Sequence, residues 1–90
     1  MLKKKVTQIL RYNAIFDPAE EGGFTVTVPK LSGLVTEGDT YEVAIDNVRD
    51  AIKGYIQVLR ENNEPIPEPD RKTFISPIDI HLTGAGYAIV

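Results

Sequence analysis

Residues 12–59 read YNAIFDPAEEGGFTVTVPKLSGLVTEGDTYEVAIDNVRDAIKGYIQVL, and this stretch decides the fold. Over residues 24–28 a phenylalanine and two valines alternate with two threonines. A period of two is typical of a strand with one buried face. Residues 9–16 alternate in the same way, and the Glu-Glu-Gly-Gly run between the two stretches predicts a turn. We therefore expect an antiparallel hairpin whose loop spans about seven residues, 17–23.

A brief third strand and a long helix are predicted next. Pro29 ends the second strand because it cannot donate a backbone hydrogen bond, and residues 34–36 can form the third. Either Asp39 or Thr40 caps the helix, since both side chains can accept a hydrogen bond from its first turn. Ile52 is expected near the centre of the buried stripe, and Gly54 is expected to permit a close approach to the sheet. The stripe over residues 41–62 has helical spacing and comprises Tyr41, Ala44, Ile45, Val48, Ala51, Ile52, Tyr55, Ile56 and Leu59.

The residues after the helix predict an extended link and a further strand. Three prolines in residues 64–70 favour an extended chain, and the alternation of Ile78, Ile80 and Leu82 predicts a fourth strand. The predicted class is α+β, a single domain over residues 1–90 in the order β-β-β-α-β, with an antiparallel sheet of three to four strands and one helix on one face. Such a sheet keeps an open face or edge, so we expect a homo-oligomer, with the uncharged tail at 84–90 as a candidate cover.

Composition excludes several classes of function. The chain has 90 residues, no cysteine and a net charge of −3, so neither disulfides nor thiolate metal sites are possible. A signal peptide is not expected, because no apolar segment follows the basic start, and no apolar run is long enough to cross a bilayer. A cytoplasmic protein with no membrane contact is the expectation. The charge is uneven: residues 1–16 carry +4, residues 17–50 carry −6 and residues 51–90 carry −1. An acidic middle should repel nucleic acid and attract a basic partner.

No catalytic constellation is recognisable, and no metal or cofactor site is predicted. The single histidine, His81, cannot form a His/Cys site alone. A two-metal nuclease would need acids on the first strand and on the helix to converge. The first predicted strand contains no acid, and Asp46 and Asp50 lie on the helix side opposite the apolar stripe. The protein is therefore expected not to be an enzyme.

The order of these motifs resembles the N-terminal domain of HicB antitoxins over roughly residues 9–70. The string P-x-L-x-G-x-x-T-x-G-D-T carries the resemblance by its length and order, and Y-x-A-x-F and G-G-F-x-V precede it. The matching residues are Tyr12, Ala14, Phe16, Gly22, Gly23, Phe24, Val26, Pro29, Leu31, Gly33, Thr36, Gly38, Asp39, Thr40, Glu42, Ala44, Asn47, Ala51 and Ile52.

The resemblance implies a partial ribonuclease-H-like fold and a protein partner. HicB antitoxins bind and block HicA, a small basic ribonuclease that cleaves mRNA, and often carry a C-terminal DNA-binding domain. Only 21 residues follow Pro69, so no such domain and no direct nucleic-acid contact are expected here. The alternative is a stand-alone homo-oligomeric domain with a regulatory or ligand-binding role and no toxin partner. The candidate toxin-facing residues are acidic: Asp17, Glu20, Glu21, Glu37 and Asp39.

Overall fold

A three-stranded sheet and one helix make up the regular structure of the chain. The structure is a computed structural model that describes residues 7–86 and 88–89; residues 1–6 and residues 87 and 90 of the predicted tail lie outside the described part. The elements are β1 (Ile15–Pro18), β2 (Phe24–Thr27), β3 (Val35–Gly38) and α1 (Tyr41–Glu61). The strands are antiparallel in the order β1-β2-β3. This confirms the predicted α+β class.

The first strand is displaced toward the turn relative to its prediction. It begins at Ile15 rather than residue 9, and Asp17-Pro18 extends it instead of breaking it. The Ala19 N–H donates to the Gly23 carbonyl oxygen at 3.0 Å. Hydrogen-bonded and non-hydrogen-bonded pairs alternate along an antiparallel ladder. Because Ala19 and Gly23 are hydrogen-bonded, the next pair, Pro18 and Phe24, is a non-hydrogen-bonded one. Proline, which has no N–H, therefore leaves no ladder hydrogen bond unmade there. The loop is consequently five residues, 19–23, and not seven.

The core lies between the sheet and the first half of α1. The alternation on β2 is confirmed, since Val26 is fully buried and its outward neighbours are threonines. Tyr12 and Ala14, which precede β1, pack against the same core although they are not in a strand. The buried apolar residues are Val26, Val28, Leu31, Leu34, Ala44 and Val48.

Both ends of α1 follow from local sequence. Thr40 is the N-cap, and its Oγ1 accepts a hydrogen bond from the Val43 N–H at 3.1 Å. At the other end Asn63 adopts a φ of 54°. The Asn63 N–H donates to the Arg60 carbonyl and the Glu64 N–H to the Leu59 carbonyl. This is a Schellman motif with asparagine at the left-handed position.

Two predictions about the buried side of the helix are wrong. Ile52 is only half-buried, and the buried helix residues are Ala44 and Val48, one to two turns earlier. A Cβ on Gly54 would meet no atom within 4 Å, whereas a Cβ on Gly38 would lie 2.6 Å from the Ala44 Cα. Gly38, at the end of β3, is therefore the glycine that permits the helix to approach the sheet.

The chain after the helix returns to the β1 side of the molecule. The Asp70 N–H donates to the Arg11 carbonyl oxygen at 2.7 Å. The backbone N–H of Asn13 donates to the Asp70 carboxylate at 2.9 Å. The side-chain amide of Asn13 donates to the Thr73 carbonyl oxygen at 3.0 Å. Residues 70–73 thus run beside residues 11–13 in the same direction.

The predicted fourth strand does not form within the described chain. Residues 74–86 have no strand partner and are exposed. A strand needs a paired neighbour as well as an alternating pattern, and the chain offers none at this position. No helix in the described residues is long and apolar enough to cross a membrane.

Candidate partner-binding site

The β1–β2 turn places two acidic side chains at one end of the sheet. The Gly22 N–H donates to the Ala19 carbonyl oxygen at 3.0 Å, and Gly22 and Gly23 both have positive φ, 99° and 76°. Glycine adopts these angles without a Cβ clash, which is why the pair can close a five-residue turn. Glu20 and Glu21 lie in this turn and are exposed.

The same turn lies against the end of β3. A Cβ on Gly23 would lie 2.5 Å from the Gly38 carbonyl oxygen and 3.0 Å from the Asp39 Cα. This close backbone approach brings the turn next to Glu37 and Asp39, both of which are exposed. Asn47 on α1 fixes this end of β3, because its amide donates to the Glu37 carbonyl oxygen at 2.7 Å.

Strand register adds the fifth acid. Asp17 pairs with Thr25, and Thr25 pairs with Glu37, so the two acids flank one threonine. Neighbouring strands are about 4.8 Å apart, which separates the Asp17 and Glu37 backbones by roughly 10 Å. Successive residues of a strand point to opposite faces of the sheet. Val26 is buried against the helix, so Thr25 and the two acids paired with it point to the face away from the helix.

These five acids form what we call the acidic end: Asp17, Glu20, Glu21, Glu37 and Asp39. Three separate segments supply them, and all five are exposed. Among described residues the one side-chain ion pair joins Arg49 and Asp46 at 3.4 Å, so the acidic end has no paired cation there. Unpaired carboxylates grouped on one surface create a negative potential that attracts cationic partners. No group of three or more His, Asp or Glu side chains in residues 7–86 and 88–89 is arranged to hold a metal ion.

An aromatic cluster lies at the same end on the helix side of the sheet. The Phe16 and Tyr41 ring centroids are 5.2 Å apart, and Phe24 is 6.3 Å from Phe16 and 6.2 Å from Tyr41. Phe16 and Phe24 pack against the core, as the sequence predicts. Tyr41 was expected to be part of the buried stripe, but it is 52% exposed because it is the first residue of α1. Tyrosine is enriched at protein interfaces, so Tyr41 is a candidate contact that the sequence pattern did not single out.

The helix acids lie on a different surface. Asp46 and Asp50 are exposed on α1, whereas Asp17 and Glu37 point from the sheet face opposite the helix. The sheet therefore separates the two sets, and they do not converge as the acids of a two-metal nuclease would.

Tyr12 and Asp70 each make a polar contact between the segment before β1 and the returning chain. The Tyr12 hydroxyl donates to the Pro67 carbonyl oxygen at 2.6 Å, and Asp70 is 5% exposed. Burial and, to a smaller extent, the negative charge of Asp70 raise the pKa of Tyr12 above its ordinary value of 10.0. These two hydrogen bonds hold the returning chain in place, at the opposite end of the β1 segment from the acidic end.

Comparison with known proteins gives a consistent family. A family model described as the HicB-like antitoxin of a bacterial toxin–antitoxin system matches residues 12–80. A UPF0150 protein of Thermoplasma acidophilum is 40% identical over 58 residues, which cover 64% of this chain and 84% of that protein. Antitoxin HicB 1 of Photorhabdus laumondii is 38% identical over 60 residues, 67% of this chain and 39% of that protein. Antitoxin HicB of Escherichia coli K12 is 32% identical over 72 residues, 80% of this chain and 48% of that protein.

Proposed function

The chain belongs to the HicB-like antitoxin family of bacterial toxin–antitoxin systems, and on that premise we propose that it is a protein-binding antitoxin that neutralises a HicA-like, mRNA-cleaving toxin in the cytoplasm. It acts by occupying the toxin and has no catalytic activity of its own. The chain spans about half or less of the curated HicB antitoxins that it matches, and the family model, which matches residues 12–80, includes the whole acidic end.

The acidic end is the observation that carries this proposal. An enzyme that cleaves RNA binds a polyanion, so its substrate surface is basic. Five exposed carboxylates without a paired cation in the described chain complement such a surface in charge. They would steer the two proteins together and compete with RNA for the same cationic side chains.

Tyr41 and the two phenylalanines would supply the apolar part of the contact. Charged groups raise the association rate and fix orientation, while buried aromatic anchors contribute more to the lifetime of a complex. Tyr41 is half exposed beside the acidic end and rests on Phe16 and Phe24. Its ring is therefore held in place before a partner arrives, which limits the entropy lost on binding.

A charge-reversal experiment tests the proposal. The probe is a small basic protein encoded next to this chain, and association is measured by surface plasmon resonance at low and high salt. Glu20→Lys with Glu21→Lys should slow association at least about tenfold and weaken inhibition of RNA cleavage. The melting temperature should not change, because both residues are exposed in a turn.

A matched control separates local from overall charge. Asp46→Lys with Asp50→Lys changes the net charge by the same amount on the exposed side of α1, and it should leave association nearly unchanged. Equal effects of the two double variants would show that only net charge matters. A complex that is unaffected by either double variant would show that the toxin binds elsewhere than at the acidic end.

The alternative is a stand-alone regulatory or ligand-binding domain that assembles with itself. The exposed apolar side chains beyond residue 73 favour this alternative. A contiguous run of exposed apolar side chains usually marks an interaction surface. Absence of a complex with the neighbouring basic protein at any salt concentration would support it over the antitoxin.

A further inference from the structure

Residues 74–82, here called the arm, have a strand pattern but no place in the sheet. Phe74, Ile78, Ile80 and Leu82 fall on one side of an extended chain and are 78%, 76%, 73% and 66% exposed. Their backbone makes no strand pairing among the described residues. Exposing four large apolar side chains to water is unfavourable in free energy. The arm is therefore expected to be covered by another surface when the protein is assembled.

A matching apolar groove lies on the C-terminal half of α1. The helix has 21 residues and is about 31 Å long, whereas each strand has four residues and is about 13 Å long. The helix therefore overhangs the sheet. Beside the overhang is an open groove of about 790 Å³ whose apolar lining includes Leu10, Ile52 and Ile56.

The arm and the groove lie on the same edge of the molecule. Arg11 and Asn13 hold Asp70 and Thr73 by hydrogen bonds, so the arm leaves the domain beside Asn13, three residues along the chain from Leu10 of the groove. Its exposed side chains show that the arm does not occupy the groove of its own chain. A two-fold axis near this edge would bring the arm of each copy to the groove of the other.

We propose that two copies of this chain exchange arms, each arm packing the side that carries Ile78, Ile80 and Leu82 into the groove of its partner. Every copy has one arm and one groove, so a two-fold exchange fills both and closes. The polar residues of the groove include Lys53, Arg60 and Glu61, a net charge of +1, and Asp79 gives the arm a formal charge of −1.

The area is sufficient for a stable dimer. The four apolar side chains of one arm would bury roughly 500 Å² of arm surface. Two arms would therefore bury about 1,000 Å² of their own surface, and the groove surface that they cover brings the total to the lower end of the range of specific protein–protein interfaces. Arm exchange does not require a toxin, so its failure would leave the antitoxin proposal unaffected.

Light scattering coupled to size exclusion tests the exchange on the full chain at micromolar concentration. We expect twice the chain mass of 10.0 kDa. Ile80→Asp should raise the dimer dissociation constant at least about a hundredfold and give monomers. Thr83→Asp adds the same charge one residue after the arm, on the side of the extended chain opposite Ile80, and should leave the dimer intact. A monomeric unmodified chain, or equal effects of the two variants, would overturn the proposal.

Cysteine cross-linking then identifies the contact, because the chain contains no cysteine of its own. A chain with Ile80→Cys is mixed with a chain carrying Ile56→Cys and oxidised. Exchange predicts a disulfide between the two different chains. Cross-links confined to pairs of Ile80→Cys chains would mean that arms pair with each other, and a disulfide formed only inside a chain carrying both changes would mean that the arm folds onto its own groove. Either result refutes the exchange.

Discussion

Replacing Gly38 by alanine should separate the helix from the sheet. A Cβ at this position would lie 2.6 Å from the Ala44 Cα and 2.9 Å from the Val43 carbonyl carbon. Both are backbone atoms, so no side-chain rotation can relieve the contact, and α1 must move away from β3. The movement would loosen the packing of Ala44 and Val48, the buried residues of the helix.

The expected cost is at the upper end of the range for overpacked cores, about 3 kcal/mol. That is a large part of the ~5–10 kcal/mol that we expect for a domain of this size. It corresponds to a fall in Tm of roughly 12–24 °C. The φ of Gly38 is not in the left-handed region, so the loss would come from steric overlap rather than from backbone strain.

Gly54→Ala is the matched control. It adds the same methyl group where no atom lies within 4 Å, in the interior of α1. Alanine is favoured over glycine in a helix by about 1 kcal/mol, so Tm should rise by roughly 4–8 °C. Both variants are compared with the unmodified chain by urea and thermal unfolding at one protein concentration. Gly38→Ala within about 0.5 kcal/mol of the unmodified chain, or a loss of stability in Gly54→Ala, would refute the packing described here.

Three further predictions follow from burial, ionisation and charge placement. Val48→Ala should lower the free energy of unfolding by about 2 kcal/mol and Ile52→Ala by roughly 1 kcal/mol, because Val48 is buried and Ile52 is half-buried. Urea unfolding measures both values. A larger loss for Ile52→Ala would show that the core is centred on Ile52 and not on Val48. Folding raises the pKa of Tyr12, so its contribution to stability is present below pH 10 and is lost as pH rises through the folded-state value. Tyr12→Phe should therefore unfold with less dependence on alkaline pH, and an unchanged dependence would contradict the assignment. Purified protein should not cleave RNA or DNA in Mg²⁺ or Mn²⁺, and cleavage that disappears in Asp46→Asn would show that the helix acids are catalytic.

The candidate site could be predicted from sequence only as a set of residues. A count of charges identifies the acidic middle of the chain, but it does not place Asp17 and Glu37 on either side of Thr25. That placement follows from strand register, which sets each residue of β1 and β3 opposite one residue of β2. The contact between Gly23 and the end of β3 then brings the turn acids to the same place. Neither the register nor the contact can be read from the sequence, because the residues that meet are far apart along the chain.

Local interactions explain what the sequence alone determined. The alternation around Val26 and the start of the helix at Asp39 or Thr40 each depend on residues within a few positions of one another, so both patterns are readable without a structure, which then selects Thr40 as the cap. The tertiary structure decided what depends on distant partners. Gly38 rather than Gly54 meets a neighbouring backbone, and the alternating residues 74–82 remain unpaired, because close approach and strand pairing belong to two segments and not to one.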